Sequence, residues 1–178
     1  MPSCIKRYFL LSIAFFSAMF CGYAQPKAIG GTFSLSGLGI MYEHTLNEEC
    51  FIDMDLRAEM GEVFMNKTDI PGVSASFSCN FIVKKWTSRY GTEIKAIAGP
   101  GVAIGMARDL GEDFGYFMGL KGRVGLECCF DRKVAVSVCL NPTLGSHLNI
   151  SGNTAQMKLY KIGMINTVIP EIGIKYMF

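Results

Sequence analysis

Charge is scarce in this chain. Asp, Glu, Lys and Arg together make up 18% of its 178 residues, against roughly 25% in an ordinary soluble domain. There is one tryptophan and there are two histidines, His44 and His147, far apart in sequence. No CxxC spacing occurs, so a zinc site has neither its usual cysteine pair nor a histidine pair to build on. No basic cluster occurs, which argues against nucleic acid as a partner. Past the first two dozen residues no apolar run reaches the 18 or so residues of a membrane-spanning helix.

What is present begins with a segment that reads as a secretory signal. Lys6 and Arg7 form its positive start, Tyr8 to Phe20 is uncharged and apolar, and Gly22-Tyr23-Ala24 offers small residues for cleavage after Ala24. The domains expected are therefore a signal peptide at 1–24 and a mature domain at 25–178. A membrane anchor would need about 20 apolar residues. A lipoprotein site at Cys21 would need a small residue where bulky Phe20 stands. Without Lys6 and Arg7 the mature chain carries 15 basic and 15 acidic residues, formally neutral. Of the seven cysteines, Cys50, Cys79, Cys128, Cys129 and Cys139 remain. An odd number cannot all pair within one chain, and most of them read as small buried hydrophobes.

The mature chain alternates with a period of two. Ile52, Met54, Leu56, Ala58 and Met60 fall on one face and Asp53, Asp55, Arg57 and Glu59 on the other. A strand separates two such sets and a helix mixes them. Further segments follow the same rule: Val73 to Lys84 with Ile82 out of pattern, Ile94 to Met106, Met118 to Phe130 with Gly122 on the apolar side, Val134 to Asn141, and Val168 to Phe178. Ala28 to Ser34 and Leu38 to Leu46 alternate more weakly and could be one long strand. Taken separately they make eight strands. Asn47 to Glu49 and Asp131 to Lys133 read as tight turns; 62–71, 108–114 and 149–165 read as loops. Short connections then gather at one end and longer ones at the other, except that Lys85 to Tyr90 is long for the short end.

Alternation does not say which face lies inside. Glycines 99, 101, 105, 119, 125 and 173 lie on the more polar face, where a narrow lumen needs small residues beside long charged ones. The charges there balance: Asp53, Asp55, Glu59, Glu127 and Glu171 against Arg57, Lys95, Lys121, Arg123 and Lys175. Enclosed charges must be paired. The last strand puts Ile172, Ile174, Tyr176 and Phe178 on one face, as a strand ending in an interfacial aromatic girdle would. Trp86 and Tyr90 read as interface anchors of the same kind.

The run Glu171-Ile172-Gly173-Ile174-Lys175-Tyr176-Met177-Phe178, together with Gly125 to Phe130 and the stretch around Gly99-Pro100-Gly101, resembles the small outer-membrane β-barrel proteins of Gram-negative bacteria over residues 28–178. The resemblance implies an all-β fold, an eight-stranded antiparallel up-and-down transmembrane barrel. It also implies an outer-membrane location, no cofactor, lipid as surroundings, and Tyr176 and Phe178 as a terminal signal for the barrel-insertion machinery. A monomer is expected. It does not imply one function.

Candidate chemistry is thin. A lipid hydrolase would need a Ser–His pair. Ser146 precedes His147 and so points to the opposite face, leaving Ser151 as the candidate. Asp53 and Asp55 share a face about 7 Å apart, but Arg57 stands in the same row, so an ion-pair network is the reading, with Arg57 held between those carboxylates. Pro100 and Pro170 mark positions lacking a ladder bond. The function expected is a non-enzymatic outer-membrane barrel with a side-chain-filled lumen, structural or surface-binding through its loops. The alternatives are a lipid-modifying enzyme and a soluble periplasmic barrel with an apolar ligand inside.

Overall fold

In a computed structural model, residues 26–60, 71–89, 91–110, 113–130, 133–151 and 154–178 are described. The signal segment with its cleavage site, Tyr90 and most of the 62–71 connection lie outside them. The strands are β1 (Lys27–Ser34), β2 (Gly37–Thr45), β3 (Cys50–Glu59), β4 (Gly72–Thr87), β5 (Glu93–Arg108), β6 (Phe114–Phe130), β7 (Val134–Leu140), β8 (Thr143–Ser151), β9 (Thr154–Leu159) and β10 (Glu171–Met177), with a short helix α1 (Lys161–Ile165) before β10. All pairings are antiparallel, and the β5–β6 pairing closes the sheet on itself. The ten segments make an eight-stranded wall.

The two numbers reconcile through the register. β6 pairs with β7 through Val124↔Leu140 and with β8 through Lys121↔Thr143, which is one unbroken register. β7 and β8 are thus one wall strand, interrupted where Pro142 has no N–H to give. Its carbonyl still accepts from the Gly122 N–H at 2.8 Å. Gly122 also lies opposite Pro100 on β5. A Cβ on it would stand 3.2 Å from the Pro142 ring, which explains a glycine on the apolar side of β6. β9 and β10 share the eighth wall position, separated by the excursion 160–170 that contains α1.

Residues 149–165 are therefore not a loop. β8 runs to Ser151, β9 follows a two-residue connection, and α1 comes after it. The sequence hides this because β9 is only six residues long: Ala155, Met157 and Leu159 alternate with Thr154, Gln156 and Lys158, a run too short to stand out beside Ser151-Gly152-Asn153. The split between β1 and β2 is real, with Leu35 and Ser36 as a two-residue turn. That turn lies at the end away from the termini, so connection length does not separate the two ends cleanly.

Following the pairings once around shows how the wall is sheared. From Met118 the path runs through Ile104, Ala75, Leu56, Ile40, Gly31, Ile174 and Val136 and returns to β6 at Cys128, ten residues on. Strand number and shear together set the tilt and the bore, and eight strands leave an interior that side chains fill. The wall is uneven in height. β4, β5 and β6 have 16, 16 and 17 residues, whereas β1 and β2 have 8 and 9.

The pleat sends even-numbered residues of β6 outward and odd-numbered ones inward. Met118, Leu120, Val124 and Leu126 are exposed; Phe117, Lys121, Arg123 and Glu127 are buried. Ile82 obeys the same rule on β4. It packs inside against Phe51, Ile97 and Cys139, and the register shifts just after it, between Ile82 and Lys84. The bulge there moves the outward set of β4 from odd to even residues, so that Trp86 lies opposite Ile94.

Inward glycines make room for the neighbouring strand. A Cβ on Gly99 would stand 2.2 Å from the Cys79 carbonyl oxygen, whereas on outward Gly31 the nearest atom is 3.7 Å away. Gly99→Val should therefore cost about 1–3 kcal/mol, as overpacking does, and lower the urea midpoint of the barrel refolded in detergent. Gly31→Val should shift it by no more than about 0.5 kcal/mol.

Candidate functional site

The barrel is polar inside and apolar outside. Asp53 is fully buried and Arg123 is 2% exposed, while Leu120 is 68% and Ile40 64% exposed. Isoleucine, valine, leucine, methionine and phenylalanine from every wall position point away from the lumen. A soluble domain has no reason to invert its polarity over its whole surface. Lipid tails around a closed barrel supply the reason, because every described strand except β9 is paired on both sides and so leaves lipid no unsatisfied backbone edge. The fold is that of an outer-membrane β-barrel. The soluble alternative fails here, since the described residues enclose charges and not an apolar cavity.

The interior charges are joined across the lumen. Arg123 on β6 reaches Asp53 on β3, which also accepts from the Asn80 amide at 2.9 Å. Arg57 on β3 reaches Glu171 on β10. Lys175 on β10 lies between Glu43 on β2 and Glu127 on β6, and Lys95 stands 3.8 Å from Glu127. Lys121 donates to Ser76 at 2.8 Å, and Ser74 donates to Glu59 at 2.6 Å. Thr32 donates to Asp55 at 3.4 Å.

Arg57 is thus not held between Asp53 and Asp55. Residues two apart in a strand are parallel neighbours about 7 Å apart, whereas a long side chain crossing a narrow bore meets a facing strand directly. Glu43 was missed because β2 alternates weakly, with Leu38 and Ile40 outward but Met41 inward. It adds an acid to the balanced set of five and five and shares Lys175 with Glu127. Met41 lies under the Arg123 guanidinium, with Sδ 3.6 Å from Nη1.

Two packed layers lie inside the barrel. Toward the termini, Phe51, Ile82, Ile97 and Cys139 form an apolar layer, with the Lys175 ammonium 5.3 Å from the centre of the Phe51 ring. Beyond it a vestibule of about 1020 Å³ opens, lined in part by Glu43, Lys85, Lys95 and Glu127. At the other end Tyr160 stacks on Phe117 with ring centres 4.2 Å apart, together with Ala103, Ala107 and Ile162. The carboxylate of Asp109, fully buried, accepts the backbone N–H groups of Lys161 and Ile162 at 2.9–3.1 Å and so pins the start of α1. Between the layers the cavity bounded by Asp55, Arg57, Glu59, Lys121 and Tyr160 has about 30 Å³.

His147 lies in the upper layer, 1% exposed, with Nε2 3.0 Å from the Ala107 carbonyl oxygen and its ring 6.4 Å from that of Tyr160. Ser146, the residue before it, belongs to the other face of β8. His44 is on the outward side of β2 and pairs with Ile52. No group of three or more metal-ligating side chains occurs among the described residues. Trp86 and Tyr176 are partly exposed on the outer wall toward the termini.

The solved structures that resemble this chain include two of one protein. One is Ail, the attachment invasion locus protein of Yersinia pestis, at 9% identity over 86% of this chain and 94% of that one, with a TM-score of 0.32. The other is the same protein in complex with the heparin analogue sucrose octasulfate, at 10% identity, the same coverage and a TM-score of 0.31. No family model and no curated protein matches the chain.

Breaking a buried pair strands its partner. Arg57→Met should destabilise the barrel by about 3–5 kcal/mol, read as the urea midpoint in detergent micelles. Adding Glu171→Gln should recover much of the loss, because the uncompensated carboxylate is then gone. Additive losses would show that the two side chains do not interact.

Proposed function

We propose that this protein is a non-catalytic outer-membrane barrel with a filled lumen, exported by the segment 1–24 with cleavage after Ala24, and working through the end away from its termini. The observation that supports this reading is the pair of packed layers inside the barrel. An apolar layer around Phe51 and a stacked layer around Tyr160 enclose cross-lumen ion pairs, with a cavity of about 30 Å³ between them, little more than two water-sized spheres. Solute has no path through such an interior.

The taller side of the wall supports the surface role. The β5–β6 and β8–β9 hairpins belong to the end away from the termini, where the β1–β2 turn stops early. In β9, residues 155–159 are exposed on both faces, available to whatever the protein meets there. Tyr176 and Phe178, outward at the termini end, fit a signal read by insertion machinery, and lipid is the partner of the wall. We read the protein as a monomer that needs no cofactor.

The sealed environment of His147 speaks against the lipid-enzyme reading. A general base must reach the proton that it takes, and this ring is enclosed with one nitrogen committed to a backbone carbonyl.

Two measurements test the proposal. Purified protein in planar bilayers should give no steady conductance; large, stable openings would overturn the filled lumen. Lipopolysaccharide incubated with the protein should keep its mass. Loss of an acyl chain that disappears in His147→Ala would establish the enzyme instead.

A further inference from the structure

Cys50 and Cys79 take no part in the lumen. Cys50 begins β3 and Cys79 lies on β4, and the register sets Cys50 opposite Phe81 and Ile52 opposite Cys79. The two cysteines are therefore diagonal neighbours on the same, outward face of an antiparallel pair. Their Sγ atoms are 3.5 Å apart. A disulfide needs about 2.05 Å and side chains that converge. These already point at each other on adjacent strands, and because diagonal neighbours stand at the long end of what a disulfide spans, closure draws the two strands slightly together there.

The other three cysteines are placed differently. Cys129 and Cys139 face the lumen, the first with its thiol 3.5 Å from Glu127 Oε1 and the second in the apolar layer with Phe51 and Ile97. Cys128 is outward on β6, opposite Ile94 and Val136. The odd number of cysteines thus resolves into one geometrically matched pair and three that stand alone.

We propose that Cys50 and Cys79 form an intramolecular disulfide once the folded or folding chain meets an oxidising compartment, an inference that rests on the export reading above. The reagent is a disulfide oxidant, protein or small molecule. One cysteine, as thiolate, attacks a sulfur of that disulfide; one thiol of the oxidant leaves, and a mixed disulfide forms. The second cysteine attacks the protein-bound sulfur of the mixed disulfide, and the other thiol leaves. The protein gives up two protons and two electrons, and the oxidant takes up both. The bond would staple the base of the β3–β4 hairpin near the β2–β3 turn and hold its register.

Two-colour alkylation tests the pair. Protein taken directly from membranes is denatured with a first alkylating agent present, then reduced and treated with a second of different mass. Mass spectrometry should find the first label on Cys128, Cys129 and Cys139 and the second on Cys50 and Cys79. In Cys79→Ser, Cys50 should carry the first label. Separately, refolded reduced barrel in detergent is incubated with oxidised glutathione, where the same two residues should close and the other three stay apart. Failure to close there, or closure with a different partner, overturns the pair. Closure in detergent with five free thiols in membranes keeps the geometric pair and overturns the oxidising compartment, and with it the export reading.

Discussion

Charges buried inside a narrow barrel need counter-charges or hydrogen-bond donors within reach, and the rest of this barrel is arranged around that requirement. A buried ion without a partner costs several kcal/mol. Arg123 answers Asp53 and Arg57 answers Glu171 across the lumen, while Lys175 serves two carboxylates. None of these pairs joins residues on one strand. Each ties two wall positions that the hydrogen-bond ladder does not tie directly, so the interior braces the wall from within.

The wall is shaped to make this possible. Long side chains can cross only where the facing position is small, and inward glycines such as Gly99 and Gly125 sit against neighbouring backbone at distances that no Cβ would tolerate. The outward face has no such constraint beyond being apolar, and it is filled with branched and aromatic side chains that lipid accepts. Where the charged middle ends, aromatic and aliphatic layers take over, and Asp109 converts a break in the eighth wall position into an anchored cap by accepting the free N–H groups at the start of α1.

The period of two in segments such as 52–60 and 118–130 was enough to read the strands, their antiparallel succession and the two faces, because every residue there obeys the pleat. Partners within the lumen were not legible. Strand spacing places Arg57 beside Asp53 and Asp55 in one row, yet which residue faces it depends on the shear of the closed barrel, a global quantity that no local pattern carries. The same holds for Glu43, hidden in a weakly alternating strand, and for Cys50 and Cys79, whose approach needs the β3–β4 register. The cap is not legible because the alternation in β9 lasts only six residues and Tyr160 is a single inward aromatic without periodic neighbours.

The central claim is that the charged face lies within and the apolar face meets lipid. It is tested most directly by quenching tryptophan fluorescence with brominated lipid. With Trp86 replaced by Phe, one tryptophan is placed at Leu120, 68% exposed, or at Phe117, 4% exposed, three residues away on the same strand. In bilayers of brominated lipid, Leu120→Trp should be strongly quenched and Phe117→Trp nearly untouched. The opposite order, or equal quenching of both, would contradict the account.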